Sequence, residues 1–153
     1  MIEVGQTAPD FTLPRDGGGS VTLAELRPGK VVLYFYPKDD TPGCTLEAQD
    51  FNARLADFTT AGCTVIGISK DSVKAHEKFC KKHGLSIVLA SDEAGHTCED
   101  YGVWLEKSMY GKTYMGIERT TVLIDGAGQV TQVWNKVSVK GHAEAVLAAA
   151  QGL

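Results

Sequence analysis

The chain places a cysteine at the end of Pro37-Lys38-Asp39-Asp40-Thr41-Pro42-Gly43-Cys44, between a β-rich run and a helical pattern. If Thr41 is the N-cap, Pro42 takes the first helical position, where its missing N–H does no harm, and Cys44 the third. The unpaired amides and positive dipole end of a helix favour an anion, and the thiolate is the reactive form of cysteine. Helix N-termini and nearby cations bring a cysteine pKa from about 8.5 into the range of roughly 3.5 to 7.5. In this setting the Thr41 oxygen is expected to meet an orphan amide near Cys44. Arg119, directly before a β-rich run, is the candidate cation at the mouth of a sheet, able to stabilise a thiolate or a developing oxyanion. Glu47, one turn into the helix, would oppose a thiolate by itself and is expected instead to hold Arg119.

The elements that must position these groups follow from periodicity. Val31 to Tyr36, Thr64 to Ser69, Thr120 to Asp125 and Val130 to Trp134 read as strands. After Cys44, residues Ala48, Phe51, Leu55 and Phe58 form an apolar stripe that continues to Gly62. A second helix is expected from about Ser72 to His83, capped by Asp71 or Ser72 and ended by Gly84, and a third from about Val139 to Gln151. Gly126 to Gln129 joins two strands as a hairpin, and Gly17-Gly18-Gly19 reads as a turn. The alternating first half argues for parallel strands with helical crossovers, and the late hairpin adds an antiparallel strand. The fold class is α/β, a central mixed sheet flanked by helices.

At 153 residues and 43% apolar composition, residues 1–153 are expected to form one domain. A net charge of -4 with scattered basic residues offers no footprint for nucleic acid. No apolar run approaches the roughly 20 residues that span a bilayer, and the start of the chain lacks a signal pattern, so no membrane association and a cytoplasmic location are expected. The four cysteines, at 44, 63, 80 and 98, are expected as thiols rather than a disulfide framework.

Pro37, Thr41 and Cys44 fill a pattern of proline, three residues, threonine, two residues and cysteine, within Phe35-Tyr36-Pro37-Lys38 and Thr41-Pro42-Gly43-Cys44-Thr45. Together with Val4 to Phe11, Ser91-Asp92, Tyr101 to Trp104 and Met109 to Asp125, they make the chain resemble a peroxiredoxin of the bacterioferritin comigratory protein, or PrxQ, type over nearly its whole length. The resemblance implies a thioredoxin-like fold and a thiol peroxidase that needs no metal, flavin or other cofactor. It implies that Cys44 attacks hydrogen peroxide or an organic hydroperoxide to give a sulfenic acid. Thr41 and Arg119 would polarise the peroxide, and Pro37 would shield the site and shape its loop. A thioredoxin-type thiol reductant is implied as partner, and a monomer is common in the group.

Many members of the group carry a resolving cysteine five residues after the first, where this chain has Gln49. Resolution then falls to Cys63, Cys80, Cys98 or an external thiol. The resemblance favours Cys80, on the helix after the second core strand, with Lys81 and Lys82 expected to favour its thiolate. Because a disulfide needs Cα atoms roughly 4.4 to 6.8 Å apart, local unwinding after Thr41, around Cys80, or at both is expected. Cys98 is the second choice, although the acids near it discourage a thiolate; Cys63 reads as a small buried thiol.

Rival readings remain. Cys44 could pack a corner, Arg119 could pair with Glu47 or Glu118 at the surface, and Cys80 could pack on the Val73, His76, Cys80, His83 stripe. That stripe has metal-ligand spacing, but no complete site is evident and no metal is expected. A disulfide oxidoreductase would need two cysteines separated by two residues, which the chain lacks. A holdase or interaction module would use Trp104, Met109, Tyr110 and Met115, while in a peroxidase Val103, Trp104, Met109 and Met115 would shape selectivity for the peroxide's tail.

Overall fold

The computed structural model describes residues 1–153. A short hairpin of β1 (Thr12–Pro14) and β2 (Ser20–Thr22) turns through Gly17, Gly18 and Gly19. All three glycines have positive φ, so the run is the turn expected of it. After a single 3-10 turn, β3 (Lys30–Phe35) enters the centre of the molecule. It leads to α1 (Pro42–Ala53), the short α2 (Leu55–Thr60), β4 (Cys63–Ser69), α3 (Val73–His83), β5 (Val88–Ser91) and the one-turn α4 (Thr97–Asp100). The hairpin β6 (Trp104–Met109) and β7 (Lys112–Ile117) follows, then β8 (Thr120–Ile124), β9 (Val130–Trp134) and α5 (His142–Gln151).

The main sheet has the order β5-β4-β3-β8-β9. Strands β3, β4 and β5 are parallel, whereas β8 is antiparallel to β3 and β9 to β8. This is the mixed sheet expected from a βαβ half followed by a hairpin, and the fold is thioredoxin-like. Pleating divides β3 between two cores. Val31, Leu33 and Phe35 face the N-terminal segment, Cys98, Tyr101 and Val103. Val32, Tyr34 and Tyr36 face the layer that contains Cys44, Phe51, Phe58, Phe79 and the Ala143, Val146, Leu147, Ala150 side of α5. Cys44 and the Cys80 helix therefore pack on the same face of the sheet.

Several boundaries differ from the sequence reading. The helix expected to continue to Gly62 is interrupted at Arg54, whose φ of -106° and ψ of 8° leave the helical range. The Arg54 guanidinium donates to the Asp50 carbonyl at 3.0 Å, satisfying an acceptor near the break. The apolar stripe nevertheless crosses it, since Ala48, Phe51 and Phe58 are all buried. The last helix starts at His142 rather than near Val139. Strand β5 and the β6-β7 hairpin were not anticipated; β7 is mostly exposed, and Tyr110 and Gly111 make the hairpin turn with φ of 52° and 76°. No helix is long and apolar enough to cross a membrane.

Candidate active site

The central strand β3 ends at Phe35, and the segment 36–41 carries the chain into α1. Thr41 is the N-cap residue and Pro42 opens the helix, as the sequence indicates. Cys44 lies in the first turn and is only 1% exposed. Arg119, immediately before β8, reaches across so that its Nη2 donates to Cys44 Sγ at 3.3 Å. Its Nη1 donates to Glu47 Oε1 at 2.6 Å. One guanidinium thus bridges the sulfur and the buried carboxylate one turn further on, a fork that a lysine could not reproduce. Glu47 and Cys44 raise the Arg119 pKa against the effect of burial. Glu47 responds oppositely to its setting: burial outweighs Arg119 and pushes its carboxyl up to about 7. Its second oxygen, Oε2, is buried without a hydrogen-bond partner.

Gly43 is shaped by the same contact. A Cβ there would come within 3.2 Å of Arg119 Nη2. Thr41 corrects a sequence expectation: its side chain does not cap an amide of α1 but donates to the Lys38 carbonyl at 2.9 Å. The hydroxyl proton is used within the loop, and the oxygen keeps lone pairs free to accept a proton from elsewhere. Pro37 is exposed on the same loop, and Gln49 lies on the exposed side of α1.

The remaining thiols are separate from this contact, and all four cysteines are free. Cys80 is half-buried near the end of α3, where Ser72 caps the start by accepting from the Ala75 amide at 3.1 Å. Gly84, in the left-handed conformation at φ 63°, ends the helix. The charge expected around Cys80 has the wrong sign. Its Sγ faces Asp16 Oδ2 at 3.7 Å, while Lys82 extends away to Asp40 at 2.7 Å. Burial and then Asp16 push the Cys80 thiol up to about 12. Cys98 is fully buried, and burial followed by Asp92 raises its thiol still further. Cys63, the first residue of β4, is buried, and burial raises its thiol to about 11.

The stripe of possible metal ligands on α3 does not converge. His76 turns to Asp39, Cys80 to Asp16 and His83 to Asp40. A different trio, Asp39, Asp71 and His76, brings its ligand atoms within 4.8 Å of one another. Those atoms are already tied to each other and to Tyr36 and Ser69. On the β6-β7 hairpin, Met109 and Met115 are about half exposed and Tyr110 is 97% exposed. Val103 is buried, and Trp104 lies beneath the Lys70 ammonium at 5.2 Å.

The sequence reading did not identify Asp16, Asp39 or His142 as polar groups of this face. His142 lies under the site, with Nε2 2.7 Å from the Thr121 hydroxyl, and burial and then Arg119 lower its pKa to about 4. Its position at the head of an apolar helix was the only signal available.

Residues 4–133 match the AhpC/TSA family model. A putative peroxiredoxin Bcp of Coxiella burnetii is 54% identical over 146 residues, covering 95% of this chain and 97% of that protein. Peroxiredoxin Bcp of Xanthomonas campestris is 48% identical, covering 97% and 93%. A solved structure of Xanthomonas campestris peroxiredoxin Q superposes with a TM-score of 0.91 at 47% identity, covering 99% of this chain and 96% of that one. Another describes the alkyl peroxide reduction activity of the bacterioferritin comigratory protein of that organism. Two further solved forms of the Xanthomonas protein carry serine at one or other of two cysteines, separated by the same number of positions as Cys44 and Cys80. With its thioredoxin-like sheet, its cysteine at a helix start and these relatives, the chain belongs to the AhpC/TSA family as a peroxiredoxin of the Bcp, or PrxQ, type.

Proposed function

We propose that this peroxiredoxin reduces hydrogen peroxide and organic hydroperoxides at Cys44 and is resolved through Cys80. The contact of Arg119 Nη2 with Cys44 Sγ carries the reading, because it pairs a permanent cation with the nucleophile where an oxygen anion must also be stabilised. The Cys44 thiolate attacks one oxygen of ROOH, the O–O bond breaks heterolytically, and the released alkoxide or hydroxide takes a proton to leave as alcohol or water. Cys44 is left as the sulfenic acid. Thr41, whose own proton is directed at Lys38, can accept the hydrogen bond of the hydroperoxide O–H, while Arg119 offsets charge on the departing oxygen. Pro37 borders the loop and limits the approach of water.

In the second step the Cys80 sulfur attacks the Cys44 sulfenic sulfur, water leaves and a disulfide forms. Burial and then Asp16 push the Cys80 thiol up to about 12, which makes it a poor nucleophile in this setting, so the step calls for Cys80 to move toward solvent and away from Asp16. Cys80 is half-buried where Cys98 is fully enclosed, and the matching cysteine separation in the Xanthomonas protein supports the same choice. A thioredoxin-type dithiol would return the protein to the reduced state, and a cytoplasmic monomer acting as one domain completes the proposal.

The test is to treat the reduced protein with one equivalent of hydrogen peroxide and map bridges by peptide mass, using wild type, Cys44→Ser and Cys80→Ser. A bridge between 44 and 80 is expected in wild type, and a persistent sulfenic acid in Cys80→Ser. Peroxide consumption at the wild-type rate by Cys44→Ser would refute the catalytic assignment. A bridge to Cys98 in Cys80→Ser, or undiminished turnover with an external thiol, would refute only the resolving assignment.

A further inference from the structure

Asp39 and His76 are joined beneath the loop that leads to Cys44. The Asp39 side chain is 6% exposed and that of His76 is 0% exposed. His76 Nδ1 lies 2.6 Å from Asp39 Oδ2, while Tyr36 donates its hydroxyl to Asp39 Oδ1 at 2.5 Å. On the other side of the ring, His76 Nε2 lies 3.0 Å from the Ala90 carbonyl oxygen. A carbonyl only accepts, so Nε2 carries a proton; a second proton must lie between Nδ1 and the carboxylate. Asp39 is also tied through its backbone, its N–H donating to Asp71 Oδ2 at 2.9 Å just before α3.

An outer pair of contacts repeats this connection at the far end of the helix. Asp40, held in the left-handed region at φ 59°, receives Lys82 Nζ at 2.7 Å and lies 2.9 Å from His83 Nε2. The loop therefore grips α3 on both sides of Cys80. None of these contacts involves Cys44, whose polar neighbour is Arg119. A buried ion pair also contributes little net stability compared with apolar packing, yet losing one partner is strongly destabilising. Such a pair fits a joint that is either closed or open. Nearby Tyr34, stacked on Tyr36 and Phe51, has a buried hydroxyl with no partner, so the closed arrangement leaves one polar group unsatisfied.

We propose that Asp39 and His76 are positioning residues that latch the Cys44 loop to the Cys80 helix, and that opening of this latch sets the rate at which oxidised Cys44 meets Cys80. This rests on the reading that Cys80 resolves. With the latch closed, the Cys44 sulfenic acid keeps its place in the site and remains open to a second hydroperoxide, giving the sulfinic acid and one alcohol or water. With it open, the Cys80 sulfur displaces water and the disulfide forms. The latch thus divides Cys44 between a recoverable and an overoxidised product.

The test compares wild type with Asp39→Asn, which keeps the shape and removes the charge. In the reduced protein, amide exchange in segments 41–53 and 73–83 should rise together by about tenfold or more. After one equivalent of hydrogen peroxide, the peroxide-independent phase that forms the disulfide should accelerate by a similar factor. The peroxide-dependent phase should stay within about threefold, as expected for residues outside the sulfur's own contacts. The sulfinic fraction under excess peroxide should fall. Unchanged exchange in both segments, or an unchanged disulfide phase, overturns the latch. If Asp39→Asn does not fold, the surface double variant Lys82→Gln with His83→Gln should change the same readouts in the same direction by about threefold, and no change overturns the proposal. Amide exchange reads the latch without any chemistry. A coupled opening in a protein that forms no bridge between 44 and 80 therefore refutes its link to resolution and the Cys80 assignment together, leaving the peroxidatic role of Cys44 standing.

Discussion

At the residue scale, Arg119 holds the most consequential position because it serves Cys44 and Glu47 with different nitrogens. Charge alone does not describe that role, and Arg119→Lys separates charge from geometry. An ammonium is a point donor on a flexible stem and cannot present two fixed N–H groups to acceptors one helical turn apart. The second-order rate with hydrogen peroxide should fall by about 100-fold, within the range for losing an oriented donor to a developing oxyanion. The variant should also raise the Glu47 pKa above its present value of about 7. Burial is the main cause of that elevation and Arg119 the main force opposing it, so weakening Arg119 releases the carboxyl upward. Stopped-flow oxidation checks the rate, and the infrared band of a protonated carboxyl, followed against pH, checks the shift. A lysine variant within about threefold of wild type would show that the fork is dispensable.

At the element scale, the first turn of α1 is built around this contact, and Gly43 is the position where packing and helix propensity disagree. Alanine there should favour the helix by about 1 kcal/mol over glycine. Its methyl would stand 3.2 Å from Arg119 Nη2 and force the guanidinium to move relative to Cys44. Gly43→Ala is therefore expected to unfold no more easily than wild type in urea while reacting with peroxide about tenfold more slowly. A loss of stability with unaltered reactivity would contradict that account. The same turn shows what the sequence makes legible. Pro42 at the helix start, Ser72 and Gly84 at the two ends of α3, and the β-branched runs of β3, β4, β8 and β9 are local signals. Arg119 beside Cys44 was expected from the start of its strand, and its pairing with Glu47 from their opposite charges. The direction of the Thr41 hydroxyl, the Asp16 carboxylate beside Cys80 and the Asp39-His76 pair depend on segments far apart in the chain. No local spacing encodes them. Strand β5 is short and the β6-β7 hairpin carries polar and exposed residues, so neither gave a clear alternation.

At the scale of the whole molecule, burial of ionisable groups on the helix-bearing face makes stability depend on pH in a way that two residues nearly hide. His142 is held neutral, with its pKa lowered to about 4, so between that value and the unfolded value near 6.5 the unfolded chain binds more protons. Its contribution is present above about 6.5 and is lost as the pH falls toward 4. Glu47 acts in the opposite sense: the folded carboxyl keeps its proton up to about 7, so stability declines as the pH rises from about 4.5. Each effect amounts to on the order of 3 kcal/mol across its window, and over the shared range from about 4.5 to 6.5 they oppose one another. Arg119 lowers both pKa values, yet burial drives the acid upward and the imidazole downward. His76, whose pKa is raised by Asp39 despite burial, adds stability below about 6.5 that is lost as the pH rises through its folded value. Asp92, lowered by the Cys98 and Thr97 amides and by Lys70 in opposition to burial, loses its contribution only in stronger acid. Wild-type Tm is therefore expected to stay nearly level from about pH 4.5 to 6.5 and to decline above it. His142→Gln removes one side of the balance, so its Tm should rise as the pH is lowered across that range, even if the substitution lowers Tm at pH 7. Glu47→Gln should do the reverse, with Tm falling toward acid. Calorimetry of the three reduced proteins across this range decides the matter: parallel curves would mean that these two buried groups do not set the profile, whereas slopes of opposite sign would identify them as its source.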